Sequence, residues 1–207
     1  LDMFRRHIIQ LGNSGVYVIY DELEGKEAVT WSYLLHTVEL PMGMKELPND
    51  VQVTGKNKAG GVSVAHLFSS AKTEQAIADT FFCAPTNWKN VTNAQGKALK
   101  YPNHWHFSST TVPCKVARFL TVMDTHGNNR PDMKVVRNGN TVQVGDWIIN
   151  CNLTEKGKAA ITVTNKSEKV SLNYDAGKKE GATILTDQVK GKQISKVLTD
   201  YLPDFEI

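Results

Sequence analysis

The chain contains the stretch Phe4-Arg5-Arg6-His7-Ile8-Ile9-Gln10, which Gly12-Asn13-Ser14-Gly15 separates from Val16-Tyr17-Val18-Ile19-Tyr20-Asp21-Glu22. These two runs indicate the fold class. Both runs are rich in β-branched and aromatic residues, which favour extended strands. The four residues between them favour a tight connection, because glycine adopts the positive φ angles that such turns require. The pattern therefore predicts a β-hairpin at the start of the chain.

Beyond this hairpin, period-two alternation recurs along the chain, broken roughly every 8–15 residues by Gly, Asn, Asp or Pro. Helical periodicity is nearly absent. Only Ser70–Asp79 and Gln193–Tyr201 could form short helices, and both are also compatible with strands. The sequence predicts an all-β fold, an antiparallel β-sandwich region followed by a small C-terminal β domain.

The segment Asp124–Asp132 marks the predicted domain boundary, since it combines turn and breaker residues without an apolar anchor. We expect residues 1–125 to form the sandwich region and residues 133–207 a small C-terminal β-sandwich domain. Alternation in the second part predicts an inward face made of Trp147, Ile149, Cys151, Leu153, Val170, Leu172 and Tyr174.

Composition excludes several classes of protein. The 207 residues include 24 Lys and Arg against 21 Asp and Glu, a net charge of +3, and contain no run of five like charges, so a nucleic-acid partner is not expected. No stretch approaches the roughly 18 unbroken apolar residues of a membrane span. The start of the chain lacks an apolar signal region, and Leu1 is not an initiator methionine, which predicts a processed or excised piece.

Familiar catalytic motifs are missing from the sequence, which has no nucleophile elbow, phosphate-binding loop, dinucleotide fingerprint or HExxH motif. Cys83, Cys114 and Cys151 match no zinc or disulfide pattern. We interpret Asp21-Glu22-Leu23-Glu24 as a charged strand end. The Asn-x-Ser/Thr sequons at Asn90, Asn152 and Asn165 are compatible with chance. No catalytic residue is assigned to this chain.

The segment Tyr101-Pro102-Asn103-His104-Trp105-His106-Phe107 is the most suggestive local cluster. On a strand, His104 and His106 share a face and could present two imidazoles to a metal ion. A third ligand would have to come from Asp124, His126 or His66. Two alternatives remain open: an outer polar face with Trp105 and Phe107 packed inward, or a surface that contacts carbohydrate.

Arg118 shares a strand face with the apolar residues Val116, Leu120 and Val122, so its guanidinium needs a partner. That partner is either a carboxylate such as Asp21 or Glu22, or an anionic ligand. Arg5 and Arg6 cannot act together, because adjacent strand residues face opposite sides, whereas Arg5 and His7 share a face.

Several of these segments together resemble the β-sheet region of heparinase II/III polysaccharide lyases, most closely the heparinase II type. The resemblance spans roughly Phe4 to Met123 and is carried by Arg5–Ile9, Val16–Gly25, Trp31–His36, Tyr101–Phe107 and Arg118–Val122. The segment after Asp132 does not match motif by motif.

This resemblance implies a larger enzyme in which an N-terminal α/α toroid precedes a central β-sandwich and a C-terminal β domain, the chain holding only the β portion. It implies cleavage of heparin or heparan sulfate by β-elimination, in which a base removes the C5 proton of a uronate. By this resemblance, the catalytic groups and the structural zinc of the family lie mostly outside this chain. We therefore expect no cofactor in this chain and a zinc ion in the full-length enzyme. The family acts in the periplasm or outside bacterial cells.

Within that hypothesis the chain forms a cleft wall and a scaffold and is inactive alone. Its partners would be an anionic polysaccharide and the toroid of the same polypeptide. Tyr101, His104, His106 and Arg118 are the candidate contacts with sulfated sugar. Two alternatives stay open: a stand-alone carbohydrate-binding sandwich, and a purely structural module that mediates homo-oligomerisation.

Overall fold

The computed structural model describes residues 1–38, 40–79, 92–97, 104–176, 183–189 and 192–198. The described residues contain sixteen strands in three antiparallel sheets and no helix, which confirms the all-β prediction. The chain divides into two compact units, Leu1–Asp132 and Met133–Ile207. That these units are the central and C-terminal β portions of a longer lyase stays a prediction.

Two sheets make up the first unit. The six-stranded sheet has the order β1-β2-β9-β6-β5-β4 and the three-stranded sheet the order β3-β8-β7. Their strands are β1 (Met3–Gln10), β2 (Val16–Val29), β3 (Ser32–Val38), β4 (Gly43–Glu46), β5 (Val51–Lys56), β6 (Gly61–Ser69), β7 (Thr73–Ala78), β8 (His104–Thr111) and β9 (Cys114–Gly127).

The predicted hairpin is formed by β1 and β2, which pair from Met3 with Glu24 to Gln10 with Tyr17. Gly15 in its connection has a φ of 76°, and a Cβ there would lie 2.5 Å from the carbonyl oxygen of Thr125. Only glycine satisfies both constraints, because other residues rarely adopt positive φ and would collide with β9.

A shared apolar core lies between the two sheets of the first unit. The six-stranded sheet contributes Leu23, Val53, Leu67, Ala117 and Phe119, and the three-stranded sheet contributes Tyr33 and Phe107, with Trp105 packed against them. The Tyr33 and Phe119 rings meet across the interface with centroids 5.6 Å apart. Burial of these side chains provides the main driving force for sandwich formation.

One seven-stranded meander forms the described part of the second unit, with strands in sequence order. The predicted inward residues Ile149, Cys151, Leu153 and Tyr174 are buried, whereas Trp147, Val170 and Leu172 are partly exposed. Its strands are β10 (Val135–Asn138), β11 (Thr141–Val144), β12 (Trp147–Cys151), β13 (Ala160–Asn165), β14 (Val170–Asp175), β15 (Thr183–Val189) and β16 (Lys192–Leu198).

The described residues of the two ambiguous helical segments contain strands. Thr73–Ala78 pairs along its whole length with β8, and Lys192–Leu198 pairs along its whole length with β15. Pairing with a neighbouring strand, distant in sequence for β7 and directly preceding for β16, overrides the weak local pattern of a ten-residue segment. Strand β9 also continues to Gly127, beyond the predicted end of the first domain. The exposed strand β4 lacks alternation and was not predicted.

Candidate functional site

The register of the β1–β2 hairpin brings basic and acidic residues together on two opposite faces. Arg6 lies opposite Asp21, and Arg5 lies opposite Glu22. Because neighbouring residues on a strand point to opposite sides, the Arg6 pair and the Glu22 cluster are separated by the sheet. His7 and Arg5 both approach Glu22, as the shared face of positions 5 and 7 predicted.

Arg6 binds Asp21 through two parallel hydrogen bonds. Its Nε donates to Oδ1 at 2.7 Å, and its Nη2 donates to Oδ2 at 2.8 Å. The Arg6 side chain is 39% exposed, while that of Asp21 is 2% exposed. Hydrogen bonding to Asp21 raises the pKa of the Arg6 guanidinium above its usual value. The pair therefore combines a buried anion with a cation that reaches solvent.

Aromatic rings surround this guanidinium. The Cζ atom of Arg6 lies 5.4 Å from the ring centroid of Tyr33 and 5.9 Å from that of Phe4. A cleft of about 160 Å³ opens here, and Leu1, Trp31, Ser32 and Phe119 complete much of its lining. Burial raises the pKa of the Tyr33 hydroxyl, which keeps the phenol neutral beside Arg6. We call this feature the Arg6 cleft.

Chemically, the Arg6 cleft suits a ligand with both a flat apolar face and a negative group. Phe4 is 57% exposed and offers its ring to solvent. Within the part of the chain that the structure describes, Nη1 of Arg6 has no hydrogen-bond partner, so its two hydrogens are available. Sugar rings stack on aromatic faces, and sulfate or carboxylate groups accept from guanidinium.

The opposite face of the same strands holds a buried charged cluster. Glu22 is 1% exposed, and its Oε1 lies 2.8 Å from Nε2 of His7 and 3.9 Å from Nη1 of Arg5. Arg118 of β9 lies directly opposite Glu22 in the register. The interpretation of Asp21-Glu22-Leu23-Glu24 as a charged strand end is therefore wrong. Strand β2 continues to Val29, which places both carboxylates inside the sheet.

Arg118 is 2% exposed, and one of its two predicted carboxylates, Glu22, shares its face. A guanidinium buried to this extent is not accessible to a polysaccharide in this conformation. We therefore assign Arg118 to the scaffold, where it balances the charge of Glu22.

His104 and His106 lie on β8 with a third histidine nearby that the sequence analysis did not consider as a ligand. His36 on β3 pairs in register with His106, and the two ring centroids are 6.0 Å apart. His106 is 5% exposed, which leaves His104 as the more accessible of the two predicted contacts. Burial, followed by the nearby His106 and His104, lowers the pKa of His36. Tyr101, the remaining predicted contact, lies outside the described residues.

No group of three His, Cys, Asp or Glu side chains within the described ranges is arranged to hold a metal ion. The three residues considered as a third ligand all belong to the six-stranded sheet, whereas His104 and His106 belong to the three-stranded one. Asp124 pairs with Arg130, His66 binds Asp50, and His126 binds Asp132. The zinc expected in a longer enzyme stays a prediction.

The sequence analysis named Arg6 and Asp21 separately but did not predict the Arg6 cleft that they form. The predicted hairpin could have indicated their pairing, since its turn sets the register and therefore determines which basic residue lies opposite which acidic one. Trp31 and Tyr33 join through non-local contacts, such as the hydrogen bond from Trp31 Nε1 to the carbonyl of Cys114 at 3.1 Å. The sequence alone does not specify these contacts.

The described part of the chain contains no helix able to cross a bilayer. Comparison with known proteins adds no relative: no protein-family model matches the chain, and no curated protein matches it.

Proposed function

We propose that this chain is the β region of a heparinase II/III-type polysaccharide lyase and that the Arg6 cleft is part of the wall that contacts the anionic polysaccharide. The observation that carries the proposal is the Arg6 cleft itself, a solvent-reaching guanidinium between aromatic rings. Residues that carry the family resemblance, among them Arg6, Trp31 and Tyr33, line this cleft. The base and acid of β-elimination would lie elsewhere in the polypeptide, in its toroid.

Binding by such a wall would be electrostatic and modest. Asp21 already neutralises part of the Arg6 charge, and the net charge of the whole chain is only +3. Affinity for a sulfated polymer should therefore fall steeply with added salt, because exposed charges are screened over about 8–10 Å at physiological ionic strength. The proposed site extends the set of candidate contacts from His104 to the β1–β2 hairpin.

Retention of the purified chain on immobilised heparin tests the cleft. Replacing Asp21 with Asn releases the Arg6 charge, so D21N should elute at higher salt than the wild type. Asp146→Asn makes the same change in net charge at an exposed position of the second unit and serves as the matched control. Elution of D21N together with D146N would remove the Arg6 cleft from the proposal.

Loss of the cation provides the converse test. R6Q should elute earlier than R137Q, which removes an arginine from the second unit, and circular dichroism would verify that both variants are folded. The chain alone should produce no unsaturated uronate from heparan sulfate. Product formation by the chain alone would contradict a non-catalytic role. In a longer enzyme, D21N should change KM more than kcat.

A further inference from the structure

The outer face of the sheet in the second unit carries an ordered row of uncharged polar side chains. The inner face of strands β11–β14 holds buried residues such as Val142, Ile149, Val163 and Tyr174. Because side chains alternate between the two faces of a strand, the register assigns the outward positions. Across five adjacent strands one outward row consists of Asn138, Thr141, Asn150, Thr162 and Asn173. We call it the Asn/Thr row.

A second outward row lies beside it, two residues away along each strand, and consists of Val136, Gln143, Ile148, Thr164 and Ser171. All ten side chains of the two rows are exposed or partly exposed, so they are presented to solvent. None of them is charged, whereas about 25–35% of the surface residues of a soluble domain are usually charged. The connections at residues 155–158 and 166–169, by contrast, are rich in Lys and Glu. The face therefore disfavours an ionic ligand.

Two hydrogen bonds within the Asn/Thr row orient its amide groups. The Thr141 hydroxyl donates to Oδ1 of Asn150 at 2.6 Å, and the Thr162 hydroxyl donates to Oδ1 of Asn173 at 2.7 Å. Among the residues that the structure describes, no acceptor binds Nδ2 of Asn150 or Asn173. Each amide therefore keeps its N–H donors for a ligand, next to a threonine oxygen that can still accept a hydrogen bond.

We infer that this face binds a linear, uncharged oligosaccharide that lies across the strands. Sugar hydroxyls both donate and accept, which matches the alternation of amide donors and hydroxyl acceptors along the Asn/Thr row. A carboxylate or sulfate group only accepts, and the two rows supply no cation to balance its charge. Val136 and Ile148 of the second row offer apolar area to the faces of the sugar rings. The inference concerns the second unit and does not depend on the proposed lyase function.

The length of the Asn/Thr row sets the size of the ligand. Neighbouring strands lie about 4.7–4.9 Å apart, so the row is about 19 Å long and spans several sugar rings. Each hydrogen bond to a sugar hydroxyl contributes little, because it replaces a hydrogen bond to water. A single ring reaches only part of the row and should bind much more weakly than an oligosaccharide that follows it.

Titration of the isotopically labelled chain, followed by NMR of the asparagine side-chain amides, tests the inference. Cellopentaose, xylohexaose and penta-N-acetylchitopentaose are the extended probes. D-glucose is the single-ring control, and a heparin pentasaccharide is the anionic control. At least one extended probe should cause saturable shifts at Asn150 and Asn173 with a Kd of about 1–10 mM, typical of a small and weakly held ligand. D-glucose should bind at least about tenfold more weakly.

Two substitutions connect such shifts with the Asn/Thr row. Asn150→Ala removes an exposed donor from the middle of the row and should weaken binding by about fivefold. Thr162→Val keeps a β-branched side chain but removes the hydroxyl, and it should weaken binding similarly. Thr110→Val is the matched control, because Thr110 forms a cross-strand hydroxyl pair with Ser32 at 2.9 Å in the first unit. It should bind as the wild type does.

Circular dichroism verifies that each variant is folded, and if T162V is not, N150A decides at its exposed position. The inference is overturned if no extended probe causes saturable shifts or if N150A binds as tightly as T110V. Equal shifts of the same amides by D-glucose or by the heparin fragment would also overturn it. Shifts that the heparin fragment causes at Phe4 and Arg6, or their absence, bear on the proposed function alone.

Discussion

Arg6 and Asp21 join the edge strand of the six-stranded sheet to its neighbour through a two-pronged ion pair, with bonds of 2.7 and 2.8 Å. The carboxylate is buried and the guanidinium is partly exposed. This asymmetry makes the pair a structural link, because the buried Asp21 carboxylate fixes a guanidinium that reaches solvent at the Arg6 cleft, where we propose that it contacts the polysaccharide.

We expect Arg6→Gln to lower the free energy of unfolding by about 2 kcal/mol, since it leaves the buried Asp21 carboxylate without its main partner. Urea denaturation of the chain measures this change. Arg137→Gln, which removes an arginine of the second unit whose Nε donates to the exposed Gly139 carbonyl, should stay within about 0.5 kcal/mol of the wild type.

A double-mutant cycle separates the pair from other effects of the substitution. In R6Q/D21N the stranded charge is gone, so the loss should be smaller than the sum of the two single losses by about 1 kcal/mol or more. Strict additivity would show that the two bonds contribute nothing to stability.

The fold class and the first hairpin could be predicted from the sequence, because alternation and turn chemistry are local signals. Strand β7 could not, since it pairs with β8, a strand that lies far along the chain. Strand β16 pairs with the preceding strand β15, but its short segment does not distinguish a helix from a strand by pattern alone. The same limit applies to burial. The alternation of strand residues placed Arg118 among apolar side chains and so predicted that its guanidinium needs a partner. The burial of Asp21 and Glu22 could not be predicted in this way, because it depends on the other strands of the sheet.

The candidate site shows this limit in chemical terms. Arg6 and Asp21 were each conspicuous in the sequence, and the hairpin register would have joined them. Tyr33 and Trp31 reach the cleft through the packing of a second sheet, which no local pattern specifies. For the same reason His36 was not connected with His106, although the register of β3 and β8 places them side by side.

His36 should titrate below its usual pKa of 6.5, because burial first, and then the neighbouring His106 and His104, disfavour its charged form. Its pKa is lower in the folded than in the unfolded chain, so this group stabilises the fold above pH 6.5, and that contribution is lost as the pH falls below it. The effect should be small, since the burial of His36 is only partial and solvent screens the neighbouring charges.

NMR titration of the imidazole Cε1 proton measures the His36 midpoint directly. In His104→Gln, which removes one of the two neighbouring imidazoles, the midpoint should rise towards 6.5. A wild-type midpoint above 6.5 would contradict the expected sign.

Cys151 should resist alkylation in the folded chain. Burial raises the pKa of its thiol from 9.0 to about 12, with a smaller opposing effect of Arg137, and the thiolate is the reactive species. At pH 8, iodoacetamide followed by peptide mass spectrometry should find Cys151 unmodified in the native chain and modified in urea.

The same shift makes stability depend on alkaline pH. Between pH 9 and about 12 the unfolded thiol loses its proton while the folded one keeps it, so the free energy of unfolding falls as the pH rises through this window. Cys151→Ala should remove that part of the slope. Rapid modification of Cys151 in the native chain would show that the thiol is accessible and its pKa ordinary.

Asn165 gives its sequon a structural meaning. Its Oδ1 accepts hydrogen bonds from the backbone N of Ser167 at 3.1 Å, the Ser167 hydroxyl at 2.7 Å and the backbone N of Glu168 at 3.1 Å. The residue is 4% exposed, so its amide is not available as a glycan acceptor in the folded unit. The pattern Asn-x-Ser here encodes a turn between β13 and β14, a local role typical of asparagine.

Asn165→Ala should therefore lower the free energy of unfolding by about 1–2 kcal/mol, because three donors lose their acceptor at a site with little access to water. Asn138→Ala, at an exposed position of β10, is the matched control and should change stability by less than about 0.5 kcal/mol. Asn165→Asp keeps an acceptor oxygen at this position and should recover most of the loss. Equal stability of N165A and N138A in urea denaturation would mean that the turn between β13 and β14 forms without its side-chain bonds.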